Sequence, residues 1–513
     1  MATEPADRFL KSSKPLHILL VPLMAPGHMI PMLDLARLLA SRRVLITFIT
    51  TPVNLARIRP IVDRAAASAL PIRFIELRFP VANAGLPDGC ESADLVPTPD
   101  LMLNFMTGLV LLRDPLEEYL RVPDPDCWPP PACLISDNLH YWTAEVARNL
   151  NIPRLIFHGT SCFFLFCSRL IQMQKPELEA AVAAASGGPI TLPGLPHSIL
   201  VSKRQVTPIW DSIPAWAEYL ETVKEVEKSA DGVIVNSFTE LEPWYLKRYQ
   251  EATGKPIWPV GPLSLYKEET EAKADRGRVS SVDKKLLFQW LDGQEVGSVV
   301  LVSFGSTVRH SMAQLMELGY GLEASGRTFV WMVKEVAEGS DSGMEDWVAE
   351  FEKKVEGRGM VIRGWAPQTL ILEHAAVGGF LTHCGWNSIL EAVAAGVVMA
   401  TWPCFWDQFL NESFVVDVLM TGVSVGAVER MMMEAEDGGE QGLPKVRREE
   451  VERVVERVMG GGAEGEKRRE RAREYSEKAK MAMEEGGSSW EGFQDIITYV
   501  LERQKEKVKF LIE

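Results

Sequence analysis

The 513-residue chain is short of several things, and each shortage narrows the field. Its seven cysteines are Cys90, Cys127, Cys133, Cys162, Cys167, Cys384 and Cys404. The number is odd and no two stand in C-x-x-C spacing, which disfavours a disulfide framework or a zinc site and suits a reducing compartment. Positive charge is in deficit: 54 Lys and Arg face 70 Asp and Glu, for a formal net charge of −16. That balance argues against a broad nucleic-acid or anionic-membrane footprint, yet leaves room for a small dipolar pocket taking one phosphorylated ligand. No uncharged stretch of about 18 residues is apolar enough to span a bilayer. The early apolar run "HILLVPLMAPG" lacks the flanks of a secretory signal, so a cytosolic protein is expected. No G-x-G-x-x-G follows the first candidate strand, which speaks against a nicotinamide enzyme.

Present instead is a steady alternation of short β-rich runs and longer helical patterns. "HILLVPL" (17–23), "VLITFITT" (44–51), "ACLISD" (132–137) and "GVIVNS" (232–237) read as buried strands. "PMLDLARLLAS" (31–41) reads as a helix with Pro31 in its first turn. A charged, apolar-poor segment follows, and then the rhythm restarts with "SVVLVSFGS" (298–306), a helical 312–325 and "TFVWMVK" (328–334). The pattern predicts two doubly wound α/β domains, 1–262 and 285–490, joined by a linker over 263–284. Residues 431–444 read as an exposed loop, and the charged stretch 445–485 as a solvated helix face. A last helix carries Trp490, Phe493, Ile496, Ile497, Val500 and Leu501 at helical spacing. That stripe needs a cover, and the segment 491–513 is expected to pack back on the N-terminal domain.

The densest chemistry lies in "LTHCGWNSILEA" (381–392). "VGGFLT" (377–382) reads as a strand, His383 follows it, and a helix begins near Trp386–Ser388. In open parallel sheets, ligands sit beyond the C-terminal strand ends. A helix starting there presents unpaired N–H groups and the positive end of its dipole to an anion. His383, Asn387 and Ser388 can add hydrogen bonds, and Glu391, one turn on from Asn387, suits ribose hydroxyls. Taken alone, the same residues also fit a helix cap with ordinary packing around it. Flanking features favour a ligand. Upstream, "WAPQ" offers the Trp365 indole for a nucleobase and Gln368 for base or ribose; downstream, Asp407 and Gln408 offer groups for sugar hydroxyls.

The span from Trp365 to Gln408 resembles the 44-residue signature box of plant family 1 UDP-dependent glycosyltransferases, with "GWAPQ", "HAAVGGFLTHCGWNSILEAVAAGV" and "P-x-F-x-D-Q-F-x-N". Similarity extends to "MAPGHMIPMLDLARLLA", "LISDN", "IPRLIFHGTS", "VSFGS" and "EGGSS". The resemblance implies a GT-B fold of two Rossmann-like domains facing across a cleft, with the C-terminal domain binding the UDP-sugar. It further implies that Trp365 stacks on uracil, that Ala366 and Gln368 contact uracil and ribose, and that Glu391 holds the ribose hydroxyls. Ser306, His383, Asn387 and Ser388 would bind the diphosphate; Trp386, Asp407, Gln408 and Thr160 would hold the sugar. A terminal Gln in the box, here Gln408, implies UDP-glucose.

The base must lie outside the box. His28 and Asp137 each stand near the end of a candidate strand of one sheet. Asp137 can orient and stabilise the imidazolium as His28 takes the acceptor's proton, and these are the family's catalytic positions. The expected reaction is an inverting displacement without a metal ion or other cofactor, the helix N-terminus stabilising departing UDP. The acceptor pocket is assigned to the N-terminal domain with Leu139 and Phe405 near it, and suits a small apolar hydroxylated molecule. A flavonoid or other phenolic is the first choice and a triterpenoid or steroid sapogenin the second. C-glycosylation and a non-catalytic sugar-nucleotide-binding role are the alternatives; neither nucleic acid nor an obligate protein partner is expected.

Overall fold

Short runs rich in Ile, Leu, Val and Phe build two parallel sheets. The computed structural model describes residues 15–122, 128–206, 208, 213–266, 280–334, 342–427 and 445–512. The first sheet comprises β1 (His17–Val21), β2 (Leu45–Thr50), β3 (Ile72–Glu76), β4 (Cys133–Asp137), β5 (Arg154–His158), β6 (Gly232–Val235) and β7 (Ile257–Pro259). Its order is β3-β2-β1-β4-β5-β6-β7, with every neighbouring pair parallel. Every residue of β1, β4 and β5 is buried. Strands covered on both faces have no polar side to alternate with, so they read as continuous apolar runs.

The second sheet comprises β8 (Val299–Ser303), β9 (Thr328–Val333), β10 (Gly359–Arg363), β11 (Val377–Thr382), β12 (Val398–Thr401) and β13 (Gly422–Ser424). It is also parallel, in the order β10-β9-β8-β11-β12-β13. Both sheets are doubly wound, Rossmann-like arrangements. Strand order reverses between β1 and β4 in one and between β8 and β11 in the other. These are the switch points at which such sheets open a crevice for ligands.

The sheets belong to two compact units. One gathers the described residues of Met1–Leu192, Val201–Tyr266 and Lys480–Glu513; the other gathers those of Pro193–Leu200 and Lys267–Ala479. The chain thus returns to the first unit at Lys480, earlier than the expected end of the second domain at 490. Helices used below are α1 (Pro26–Ser41), α2 (Cys162–Met173), α3 (Met312–Ala324), α4 (Trp386–Ala395), α5 (Gln408–Ser413), α6 (Arg448–Met459), α7 (Ala463–Met483) and α8 (Ser488–Ile512).

Three expectations change. α1 starts at Pro26, not Pro31, and Pro31 lies inside it. A proline at the first position loses nothing, because that N–H has no helical partner. Pro31 gives up the bond to the Gly27 carbonyl, and burial of Met29, Pro31, Met32 and Leu35 keeps the helix continuous. His28 therefore stands in the first turn of a helix, while β1 already stops at Val21. Second, the charged stretch 445–485 is not only a solvated face: α6 turns Val451, Val454, Val455 and Val458 inward, and it packs on α3 and on β11, β12 and β13. Third, the ends of the expected linker are structured. Leu263 and Ser264 are buried in a short 3-10 turn, and Asp283 caps the next helix by accepting from the Lys285 N–H at 2.8 Å. The middle of that linker (267–279), the loop 431–444 and Cys127 lie outside the described residues.

α8 buries Phe493, Ile496, Ile497 and Val500 in the core of the first unit. Tyr499 meets the Trp258 ring at 5.2 Å, and the Arg42 guanidinium lies 5.1 Å over Phe493. Among the described residues, no helix is long and apolar enough to cross a membrane. The six described cysteines are buried thiols.

Candidate functional site

At the first switch point, β4 ends on Asp137, which is fully buried, and the first turn of α1 carries His28, whose side chain is 35% exposed. His28 Nδ1 lies 2.7 Å from Asp137 Oδ2. The other carboxylate oxygen accepts from the Leu139 N–H at 3.1 Å. Burial works to raise the Asp137 carboxyl, but the charge and hydrogen bond of His28, with help from His140 and the Leu139 amide, hold it below the ordinary carboxylate range. Asp137 thus stays ionised and accepts the Nδ1 proton, leaving Nε2 as the ring's acceptor. Leu139 packs at the edge of the first unit's core, and its carbonyl accepts from the Tyr219 hydroxyl at 2.8 Å.

Thr160 lies in the bend between β5 and α2. A Cβ on Gly159 would sit 3.9 Å from the Gly27 carbonyl oxygen, so this bend runs beside the segment carrying His28. α2 is capped twice. Ser161 Oγ accepts from the Phe164 N–H at 3.0 Å, and the buried Glu242 carboxylate accepts from the Cys162 and Phe163 N–H groups at 2.9 and 2.7 Å. The Ser237 hydroxyl also donates to Glu242. Burial pushes this carboxyl up to about 7 against those donors.

The second switch point is built differently. β11 ends at Thr382, His383 follows, and Cys384 takes a left-handed φ of +65°. For a non-glycine residue that costs about 1–2 kcal/mol, strain of the kind that gathers at functional sites. Gly385 is the N-cap of α4, so no side chain caps this helix start, and Asn387 and Ser388 fall within its first turn rather than at the cap. The His383 ring lies between two glycines. A Cβ on Gly305, in the turn after β8, would come within 2.7 Å of Cε1 and Nε2, and a Cβ on Gly385 would strike Nε2. Burial pushes the ring down to about 4, against a backbone hydrogen bond to Ser303. His383 is therefore neutral near pH 7; its single N–H is the one drawn to the Ser303 backbone, and the other ring nitrogen is an acceptor. Ser306 lies one residue beyond Gly305, and its carbonyl accepts from Lys334.

Gln368 links an expected diphosphate residue to an expected ribose residue: its Nε2 donates to Ser388 Oγ at 3.1 Å and to Glu391 Oε2 at 2.7 Å. Trp365 is half-buried, its backbone N–H donating to Ser281 Oγ at 3.0 Å; Ala366 beside it is buried. Trp386 is buried with its ring 6.0 Å from Phe414. Gln408 spends its carbonyl on the Cys404 and Phe405 N–H groups at 2.9 and 3.0 Å, so the group it can give a ligand is its Nε2 amide. Asp407 accepts from Asn411 at 2.7 Å. Phe405 packs against the second unit's core, so a pocket confined to the first unit contains Leu139 without it.

Sequence reasoning missed Gly305 and Asn411. Gly305 has a signal in "FGS", a glycine two residues after a strand; Asn411, three residues past the box, has only its place in "P-x-F-x-D-Q-F-x-N". Among the described residues, no three His, Cys, Asp or Glu side chains converge as metal ligands would.

A family model described as UDP-glucoronosyl and UDP-glucosyl transferase matches residues 285–440. The chain is 43% identical over 492 residues to UDP-glycosyltransferase 73E1 of Stevia rebaudiana, covering 95% of this chain and 97% of that one. It is 40% identical over 491 residues to scopoletin glucosyltransferase of Nicotiana tabacum, covering 94% and 98%. Among solved structures, Glycyrrhiza uralensis UGT73P12 complexed with glycyrrhetinic acid 3-O-monoglucuronide superposes with a TM-score of 0.85 at 34% identity, over 97% of this chain and 98% of that one.

Proposed function

Because this chain belongs to the plant family 1 UDP-glycosyltransferases, enzymes of GT-B fold, we propose that it transfers glucose from UDP-glucose to a hydroxyl of a small apolar plant metabolite, with inversion and with His28 as base. The observation that carries this reading is the 2.7 Å bond between a half-exposed imidazole and a fully buried carboxylate at a switch point. Nε2 of His28 takes the hydroxyl proton, and Asp137 stabilises the imidazolium that forms. The acceptor oxygen then bonds to the anomeric carbon as the bond to UDP breaks, and the electron pair leaves on the diphosphate. The uncapped start of α4, which follows directly on His383 and Cys384, stabilises that charge. Trp365, Ala366, Gln368 and Glu391 hold uridine, with Ser306, Asn387 and Ser388 on the diphosphate. Asp407, Gln408, Trp386 and Thr160 serve the sugar, with Asp407 accepting and Gln408 donating.

The acceptor is a phenolic such as a flavonoid, or else a triterpenoid or steroid sapogenin. One relative is named for scopoletin and a solved one holds a glycyrrhetinic acid glucuronide, so relatives support both classes. We place the enzyme in the cytoplasm, a setting suited to its buried thiols. The test is His28→Ala, assayed by mass spectrometry on a panel of UDP-sugars and phenolic and terpenoid acceptors, with UDP affinity measured alongside. Transfer should fall by about 10²–10⁴-fold, the usual worth of a general base, while UDP binding persists. Wild-type turnover by the variant would overturn the base assignment.

A further inference from the structure

Asn411 lies in the last turn of the short helix α5, is fully buried, and touches neither solvent nor any open surface. Its Nδ2 donates two hydrogen bonds: to the Cys384 carbonyl at 3.0 Å and to Asp407 Oδ2 at 2.7 Å. Both partners are acceptors, so the orientation of the amide is fixed by its surroundings. Each partner also adjoins backbone strain. Cys384 has φ +65°, and Trp406, the residue before Asp407, has φ +54°. Left-handed conformations at non-glycine residues persist where surrounding bonds hold them. The Cys384–Gly385 peptide leads directly into the uncapped start of α4. One side chain therefore joins the turn that aims the helix N-terminus to the carboxylate that follows the second strained turn.

We propose that Asn411 is a positioning residue that sets Asp407 relative to the α4 start, and so fixes where the sugar's hydroxyls stand once the diphosphate is seated. The inference rests on the reading of Asp407 as a sugar-binding group. Asn411 itself meets no substrate. It acts by presenting one N–H to each of two substrate-binding turns, so that a change in either would be felt by the other. Discrimination between donors differing at a single sugar hydroxyl would then depend on a residue that never contacts the sugar.

The test compares wild type, Asn411→Ala, Asn411→Ser and Asp407→Ala. The measurements are kcat/KM with UDP-glucose and with UDP-galactose, its C4 epimer, together with UDP affinity by calorimetry and thermal unfolding. Asn411→Ala should lower kcat/KM for UDP-glucose by about 30-fold, since losing a bond to a charged partner and leaving it displaced is worth roughly that factor. UDP affinity, which lacks the sugar, should fall only about threefold. The preference for glucose over galactose should shrink toward that of Asp407→Ala. Asn411→Ser keeps a hydroxyl donor but cannot span both partners, and leaves a smaller void. It should show the same loss of preference with less loss of stability, so the result can be read even if the alanine variant folds poorly. A purely structural role would lower the amount of folded enzyme and leave the preference of the folded fraction unchanged; that outcome in both Asn411 variants overturns the inference. If Asp407→Ala also keeps the wild-type preference, the sugar-site reading itself is wrong and the inference falls with it. If Asp407→Ala loses the preference while the Asn411 variants keep it, only the role of Asn411 is refuted.

Discussion

Substituting Gly305 by alanine gives a measurable handle on His383. Two effects add. Gly305 has φ +68°, where a Cβ costs about 1–2 kcal/mol. The new methyl would also lie 2.7 Å from Cε1 and Nε2 of the His383 ring, which already packs closely on Gly385. Relief requires a shift of ring or backbone, and overpacking of this kind costs about 1–3 kcal/mol. Together the loss is about 2–5 kcal/mol. Gly326 supplies the control, because its φ is +65° and nothing lies within 4 Å of its would-be Cβ. Gly326→Ala should therefore lose only the backbone part, about 1–2 kcal/mol, and bind UDP as wild type does. Urea unfolding gives the stability difference and calorimetry the UDP affinity. Gly305→Ala should weaken UDP by about tenfold or more, equivalent to ~1.4 kcal/mol, because the displaced imidazole disturbs the Gly385 turn into the α4 start. Wild-type UDP affinity in Gly305→Ala, with a stability loss no larger than in Gly326→Ala, would refute the placing of His383 at the diphosphate.

Two further outcomes follow from the same geometry. Glu412 accepts from the Thr401 hydroxyl at 2.7 Å, and burial pushes its carboxyl up to about 7 from the ordinary 4.5. Between those values the folded state holds a proton that the unfolded state has lost, so stability falls as pH rises, by at most about 3 kcal/mol across the window. Glu412→Gln does not titrate, so its urea midpoint relative to wild type should climb from pH 4.5 to 7; a difference that is flat with pH would show the carboxyl is not raised. Activity with UDP-glucose should persist in excess EDTA, since the α4 start is assigned the positive end that a metal would otherwise supply. Loss of turnover restored by added Mg²⁺ would contradict that assignment.

The elements that came through most clearly in the sequence are those whose signal is local. β11 spans Val377–Thr382, the residues of the apolar run itself, because a strand buried on both faces announces itself by composition. The start of α1 is ambiguous in the sequence because two prolines compete for the first position; burial of Met29 and Pro31 goes with the start at Pro26. α6 reads as a solvated face because its charges outnumber its four inward valines. For the candidate site, residue types were legible and partners were not. His28 and Asp137 are 109 residues apart in the chain, and nothing in periodicity shows that they meet. The left-handed Cys384 is equally invisible, since that conformation is usually read from glycine, and the bond to its carbonyl comes from 27 residues downstream.

Glu242 has a consequence that reaches beyond the helix it caps. A helix start is a vacancy for negative charge, and the two units treat theirs in opposite ways. At α2 the protein brings acceptors of its own: the Glu242 carboxyl group, from elsewhere in the fold, takes two of the first N–H groups, and Ser161 takes the third. At α4 no residue does so from the cap position. The first unit thus fills this helix start with side chains of its own, so its first N–H groups have no bond left for a phosphate. Two sheets of matching strand order are in this way made chemically unlike, one helix start occupied from within and the other without a side chain at its cap.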